Sequence, residues 1–177
     1  HVLSRITQGV LCLCLLSPRA LAVPAASLPG TGLDTARTVV YRDTWGVPHI
    51  YAPTVEAGLF AMGWAQAEDR PEELLKNMLR GMGELASVEG PKALDIDKVA
   101  LMWDLYSVAK ARAHKINPEV RRHTRAFVQG INSYYALHPE DRPAWWGTRR
   151  VDEFMVNAFS RLFLQSYSFD DGFRDLR

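Results

Sequence analysis

The hydrophobic period of this chain changes once, at Thr54, from two residues to about 3.6. Before that point Arg37–Asp43 alternates, with Thr38 and Val40 facing one way and Val39 and Tyr41 the other. Thr44-Trp45-Gly46 turns the chain, and Val47–Ala52 forms a second short strand that Pro48 confines to an edge. A β-hairpin follows from this pattern. After it, only helices are expected. Thr54 is an N-cap candidate with Glu56 in the first turn, and Val55, Leu59, Met62 and Gln66 share one stripe. Pro71 at N1, followed by Glu72 and Glu73, opens a second helix with Leu74, Leu75, Met78, Leu79 and Met82 as its apolar face. Gly81, Gly83 and Gly90-Pro91 end that region. Asp95 and Asp97 open a third helical stretch that Lys110, Arg112, His114 and Lys115 close, acids and bases matching the helix dipole. Asn117-Pro118-Glu119 is a restart signal, and Val120, Thr124, Phe127, Ile131 and Tyr134 then repeat as an amphipathic helix. A last helix is expected over Val151–Tyr167. The fold class is α+β, mostly helical with an N-terminal β-hairpin.

The N-terminus reads as an address. Arg5 precedes the apolar run Val10–Leu16, and Ser17-Pro18-Arg19 leads to the small-x-small sequence Ala20-Leu21-Ala22. That order is a secretory signal over residues 1–22, followed by a Pro- and Gly-rich lead-in over 23–36 and the main segment over 37–177. An exported, periplasmic or secreted product is expected. Both cysteines, Cys12 and Cys14, leave with the signal, so no disulfide framework is expected. Leu before each cysteine argues against a lipid anchor, and the apolar run is too short to span a bilayer. Charge excludes other classes. The 21 basic and 20 acidic side chains balance, which argues against a nucleic-acid partner.

Generic motifs carry little. Ser107-Val108-Ala109-Lys110 matches S-x-x-K but lacks companion motifs, and reads as a solvated helix face. Gly81-x-Gly83-x-x-Ala86 follows a helical run, where a dinucleotide fingerprint needs a strand. His49, His114, His123 and His138 lack metal-ligand spacing. Trp145-Trp146 reads as the aromatic anchor of a loop.

Four ordered blocks are more specific. Tyr41-Arg42-Asp43-Thr44-Trp45-Gly46-Val47-Pro48-His49-Ile50-Tyr51-Ala52 resembles the opening "RD-x-x-GVPHI-x-A" of the penicillin acylase family, self-cleaving amidases with an N-terminal serine. Met62-Gly63-Trp64-Ala65-Gln66-Ala67-Glu68-Asp69-Arg70 is similar to the family's "G-x-A-x-AEDR" helix. Arg80 to Gly90 resembles its "G-x-LAE-x-x-G" block, with Ser87 in place of Glu. Phe127 to Tyr134 is similar to its "y-x-x-G-x-N-x-y" helix. Pro71-Glu72-Glu73 departs from the family, whose second-block helix usually runs on.

The resemblance implies a precursor of signal, α chain, spacer and β chain, with this sequence holding the signal and the α-chain portion. The two chains together form an αββα sandwich of the N-terminal-nucleophile hydrolases. The reaction implied is cleavage of an acyl group from an amide, of the penicillin or acyl-homoserine lactone acylase type. The nucleophilic serine stands on the β chain, so no catalytic residue is expected here. By the same resemblance the last helix contributes to the acyl pocket, with Phe159, Arg161 and Leu162 as substrate-binding residues. Asp170 or Asp171 just after it would be a ligand of a structural calcium; no cofactor is implied for catalysis. Glu68, Asp69 and Arg70 are expected to form a charge network fixing two helices. The partners implied are the chain's own β chain and a small acyl-amide substrate. The competing readings are a non-catalytic exported helical binding protein and a truncated gene product.

Overall fold

The computed structural model describes residues 20–22 and 37–174, with side chains over 37–167. Of the expected export signal, all but its last three residues lie outside the described ones, as does the 23–36 lead-in. Ala20–Ala22 forms strand β1, which pairs antiparallel with β2 (Val39–Arg42), Ala20 opposite Tyr41. β2 in turn pairs antiparallel with β3 (Pro48–Tyr51), Val40 opposite Ile50. The hairpin is therefore present, with a third strand on the far side of β2. Its turn is held by Asp43, whose Oδ1 accepts from the amides of Trp45 and Val47 at 2.9 Å each. Gly46 takes φ +81, the left-handed conformation that glycine adopts without cost.

Among the described residues, seven α-helices follow. α1 (Val55–Asp69) starts at Thr54, whose Oγ1 accepts from the Ala57 amide. α2 (Pro71–Met82) begins with its proline at N1 and ends at Gly83, which is left-handed at φ +75. Gly81 lies inside α2 and does not end it. After the short α3 (Ala86–Glu89) the expected third stretch divides into α4 (Leu94–Met102) and α5 (Leu105–Ala111). The break falls at Asp104, which has φ +46. α6 (Pro118–Leu137) is capped by Asn117, whose Oδ1 accepts from the Glu119 amide, and α7 runs over Glu153–Arg174, beyond the expected end at Tyr167.

The main core joins α1, α2, α6 and the start of α7, with Phe60, Trp64, Leu75, Leu79, Ile131 and Trp146 almost fully enclosed. α1 reverses the expected stripe. Val55, Met62 and Gln66 face outward, while Ala57, Phe60, Ala61, Gly63, Trp64 and Ala67 are buried. The reason is steric: Ala57, Ala61, Gly63 and Ala67 let α6 approach closely, and Phe60 and Trp64 fill the core beside them. A second cluster, Ala100, Leu105, Ala158 and Leu162, seats α4 and α5 on α7.

Charge clasps the helices. Glu153, 9% exposed, accepts from Arg121 at 2.8 Å and from Arg125 Nε at 2.6 Å, tying α7 to α6. Burial raises the Glu153 pKa, but the two guanidinium partners outweigh it and hold the group below its ordinary 4.5. A carboxylate whose pKa is lowered by folding stabilises above its unfolded pKa, and that contribution disappears as pH falls through the folded value. Glu153→Gln should lower stability near pH 7 and reduce the loss of stability on acidification below pH 4.5, measured as urea midpoints from pH 7 to 3. An unchanged pH slope would show that Glu153 is not the linked group.

Candidate functional site

The opening block acquires a physical role in Arg42. Its guanidinium leaves β2 and bridges Glu68 at 2.5 Å and Asp69 at 2.8 Å, at the end of α1. Burial disfavours the Arg42 charge, yet the two carboxylates raise its pKa further above the ordinary value. The network expected at Glu68, Asp69 and Arg70 is thus a strand-to-helix clasp. Arg70 takes no part in it, because the chain kinks there to start α2 at Pro71.

Beside this clasp lies a cleft of about 500 Å³ between the α1–α2 elbow and α7. Leu74, Met78, Phe127, Val156 and Phe159 form its apolar floor, with Gln66, Asp69, Arg70, Glu73, Asn77 and Ser160 around it. The size and the apolar floor suit a small ligand. Two of the rim charges are already paired: Asp69 with Arg42, and Glu73 with Arg80 at 2.7 Å.

The three residues chosen on α7 do not converge. Phe159 lines this cleft. Arg161 lines a second groove, of about 490 Å³, with Trp103, Val108, Arg112, Leu164 and Gln165. Leu162 is 5% exposed and packs between Ala100, Leu105 and Ala158. Helical geometry explains the split, since two positions along a helix is a rotation of about 200°, placing 159 and 161 on opposite faces. The residues missed were those of the α1–α2 elbow, above all Leu74 and Met78. Their helical spacing marked them as core, and nothing in the pattern distinguished a cleft floor from a core wall.

Asp170 and Asp171 fall within the last turns of α7, not after it, and their side chains lie outside the described residues. Among the described residues, His138, Glu140 and Asp141 bring ligand atoms within 4.8 Å of one another. One imidazole and two carboxylates do not make the all-oxygen shell of six to eight ligands that calcium takes. Asp141 is also occupied by the Tyr134 hydroxyl, and His138 stacks on the Tyr134 ring at 4.6 Å. This set is a helix-end anchor.

No helix among the described residues is long and apolar enough to cross a membrane. Ser107 and Lys110 are both exposed, as a solvated face requires. Trp146 is 2% exposed and donates from Nε1 to the Arg149 carbonyl at 2.8 Å, anchoring its loop.

Comparison with known proteins agrees with the four blocks. The chain is 29% identical over 104 residues to the acyl-homoserine lactone acylase QuiP of Pseudomonas aeruginosa, covering 59% of this chain and 12% of that protein. It is 28% identical over 110 residues to the penicillin acylase 2 proenzyme of Pseudomonas sp. strain SE83, covering 62% and 14%. The matched stretch therefore spans only 12% to 14% of those two relatives' length. The thermostable penicillin G acylase of Alcaligenes faecalis shares the fold, with a TM-score of 0.55 over 68% of each chain at 22% identity. The family model described as penicillin amidase matches residues 37–171, and the chain belongs to that family.

Proposed function

We propose that this chain is the α-chain part of an exported acylase-type amidohydrolase, which removes an acyl group from an amide of the penicillin or acyl-homoserine lactone kind. The observation that carries the reading is the family match over residues 37–171, whose motif residues meet in space. Arg42 of the first block grips Glu68 and Asp69 of the second, and Gly63 of the second interlocks with Gly130 of the fourth.

In this reading the β chain supplies the chemistry. Its terminal serine attacks the amide carbonyl while its own α-amino group, of pKa about 8, takes the hydroxyl proton. The proton passes to the departing amine, an acyl ester forms, and water then hydrolyses it to the free acid. Hydrogen-bond donors stabilise the oxyanion of each tetrahedral intermediate. The α chain contributes scaffold and part of the acyl pocket, with Phe159 on the apolar floor of the cleft beside the α1–α2 elbow and Arg161 on the separate second groove. A structural calcium would use Asp170 or Asp171 and enters no step.

The apolar surface supports a partner chain. Leu101, Met102 and Phe163 are 51% to 73% exposed, apolar surface that a β chain would cover. The test is hydrolysis of a long-chain acyl-homoserine lactone and of a phenylacetyl amide, each followed by amine release. The 177-residue chain alone should give no turnover, and the same chain produced with a β-chain segment should give it. Turnover by the isolated chain would sink the two-chain assignment, and none from the combination would sink the acylase reading.

A further inference from the structure

We infer that the small cavity beside Trp146 is a binding site for a phosphate group, separate from the acylase chemistry. The cavity measures about 60 Å³ and lies between the C-terminal half of α6 and the loop leading to α7. That is the liquid-volume share of about two waters, the size of one oxyanion group and too small for an acyl chain. Three guanidinium-bearing residues line it, Arg142, Arg149 and Arg150, and no carboxylate does.

The three arginines are not equivalent. Arg149 is fixed: Nη1 donates to Glu84 at 2.9 Å, and the guanidinium lies 4.6 Å from the Trp146 ring centroid. Arg142 and Arg150 form no ion pair among the described residues. Arg142 and Arg150 therefore line one small space without a carboxylate partner among the described residues. A phosphate group near neutral pH carries a charge of about −1.5 to −2, which matches the two free guanidinium groups. A carboxylate would leave one of them unmatched. The planar guanidinium fork also pairs with phosphate oxygens two at a time.

The remaining polar groups on the wall are already used. The Asn132 side chain donates to the Val151 carbonyl at 2.8 Å and accepts from the Val151 amide at 3.0 Å. The Tyr135 hydroxyl donates to the Pro71 carbonyl at 2.5 Å. Recognition thus falls to the arginines, on a rigid frame set by Asn132 and Trp146.

A ligand held by the folded state alone raises the melting temperature as its concentration rises. The probe is inorganic phosphate, titrated at constant ionic strength with sodium chloride as balance. The expected result is a saturable rise in melting temperature. Arg142→Gln and Arg150→Gln should each weaken the apparent affinity by about tenfold, as expected for losing one charge-assisted contact. Arg112→Gln, at the distant second groove, should leave it unchanged. A rise no greater than chloride gives, or undiminished affinity in the Arg142→Gln/Arg150→Gln double variant, would overturn the site. Should the variants fold poorly, phenylglyoxal labelling of the unaltered protein decides the matter by peptide mass. Phosphate should protect Arg142 and Arg150 and not Arg112, and equal labelling with and without phosphate would overturn the site.

Discussion

Gly130→Ala is expected to destabilise the chain by about 3 kcal/mol or more, enough to remove much of the stability a domain of this size commonly has. A Cβ at Gly130 would lie 2.0 Å from the Phe60 carbonyl oxygen, and one at Gly63 would lie 2.1 Å from that of Phe127. Each glycine receives the backbone of the opposite helix, so α1 and α6 interlock in both directions. The atoms met are backbone and cannot swing aside. The helices must separate, and Phe60, Trp64, Ile131 and Tyr134 lose contact where they pack between α1 and α6. Helix propensity opposes the loss, because alanine is better than glycine in a helix interior by about 1 kcal/mol, but the clash is the larger effect. A control sits in α1. A Cβ at Gly58 would meet only the Ala52 Cβ, at 3.6 Å, and Gly58→Ala should stabilise by about 0.5–1 kcal/mol. Urea unfolding followed by circular dichroism measures both. Equal midpoints for Gly130→Ala and Gly58→Ala would show that the crossing is loose.

Much of the fold was legible because its signals are local. Thr54, Asn117-Pro118 and Pro71 each mark a helix start through one residue's own chemistry, and all three start where expected. The α1 stripe differs from the expected one because period alone does not show which face a partner helix needs, and α6 packs on the face where Ala57, Ala61, Gly63 and Ala67 alternate with Phe60 and Trp64. Gly63 and Gly130 stand in the family blocks, but which helix each meets is a pairing across more than sixty positions that no window displays. The candidate site is legible in another way. The resemblance assigns Phe159 and Arg161 to one acyl pocket by way of the last helix, and two positions along a helix place them on opposite faces. The cleft itself needs four helices to exist, so its floor carries the same signature as the core.

The acidic pair at the start of α4 separates a surface role from a buried one, and Asp97→Ala should cost about 3–4 kcal/mol where Asp95→Ala costs under about 0.5. Read along the sequence, the two residues are equivalent first-turn acids. In the fold they point apart. The Asp95 side chain is 94% exposed and pairs only with Lys98, itself 72% exposed, an arrangement that contributes little in water. Asp97 is 4% exposed, and its two oxygens accept from the amides of Leu85 at 2.9 Å and Ala86 at 2.7 Å. Those amides are the free donors at the start of α3, so Asp97 acts as a cap supplied from another helix. Removing it leaves two donors short of an acceptor, one of them on a residue only 3% exposed. Asp97→Asn sharpens the test, since it keeps one acceptor and turns an NH2 toward the other amide. It should recover less than half of the alanine loss. If asparagine restores full stability in urea melts, one bond suffices and the paired cap is not what holds α3 against α4.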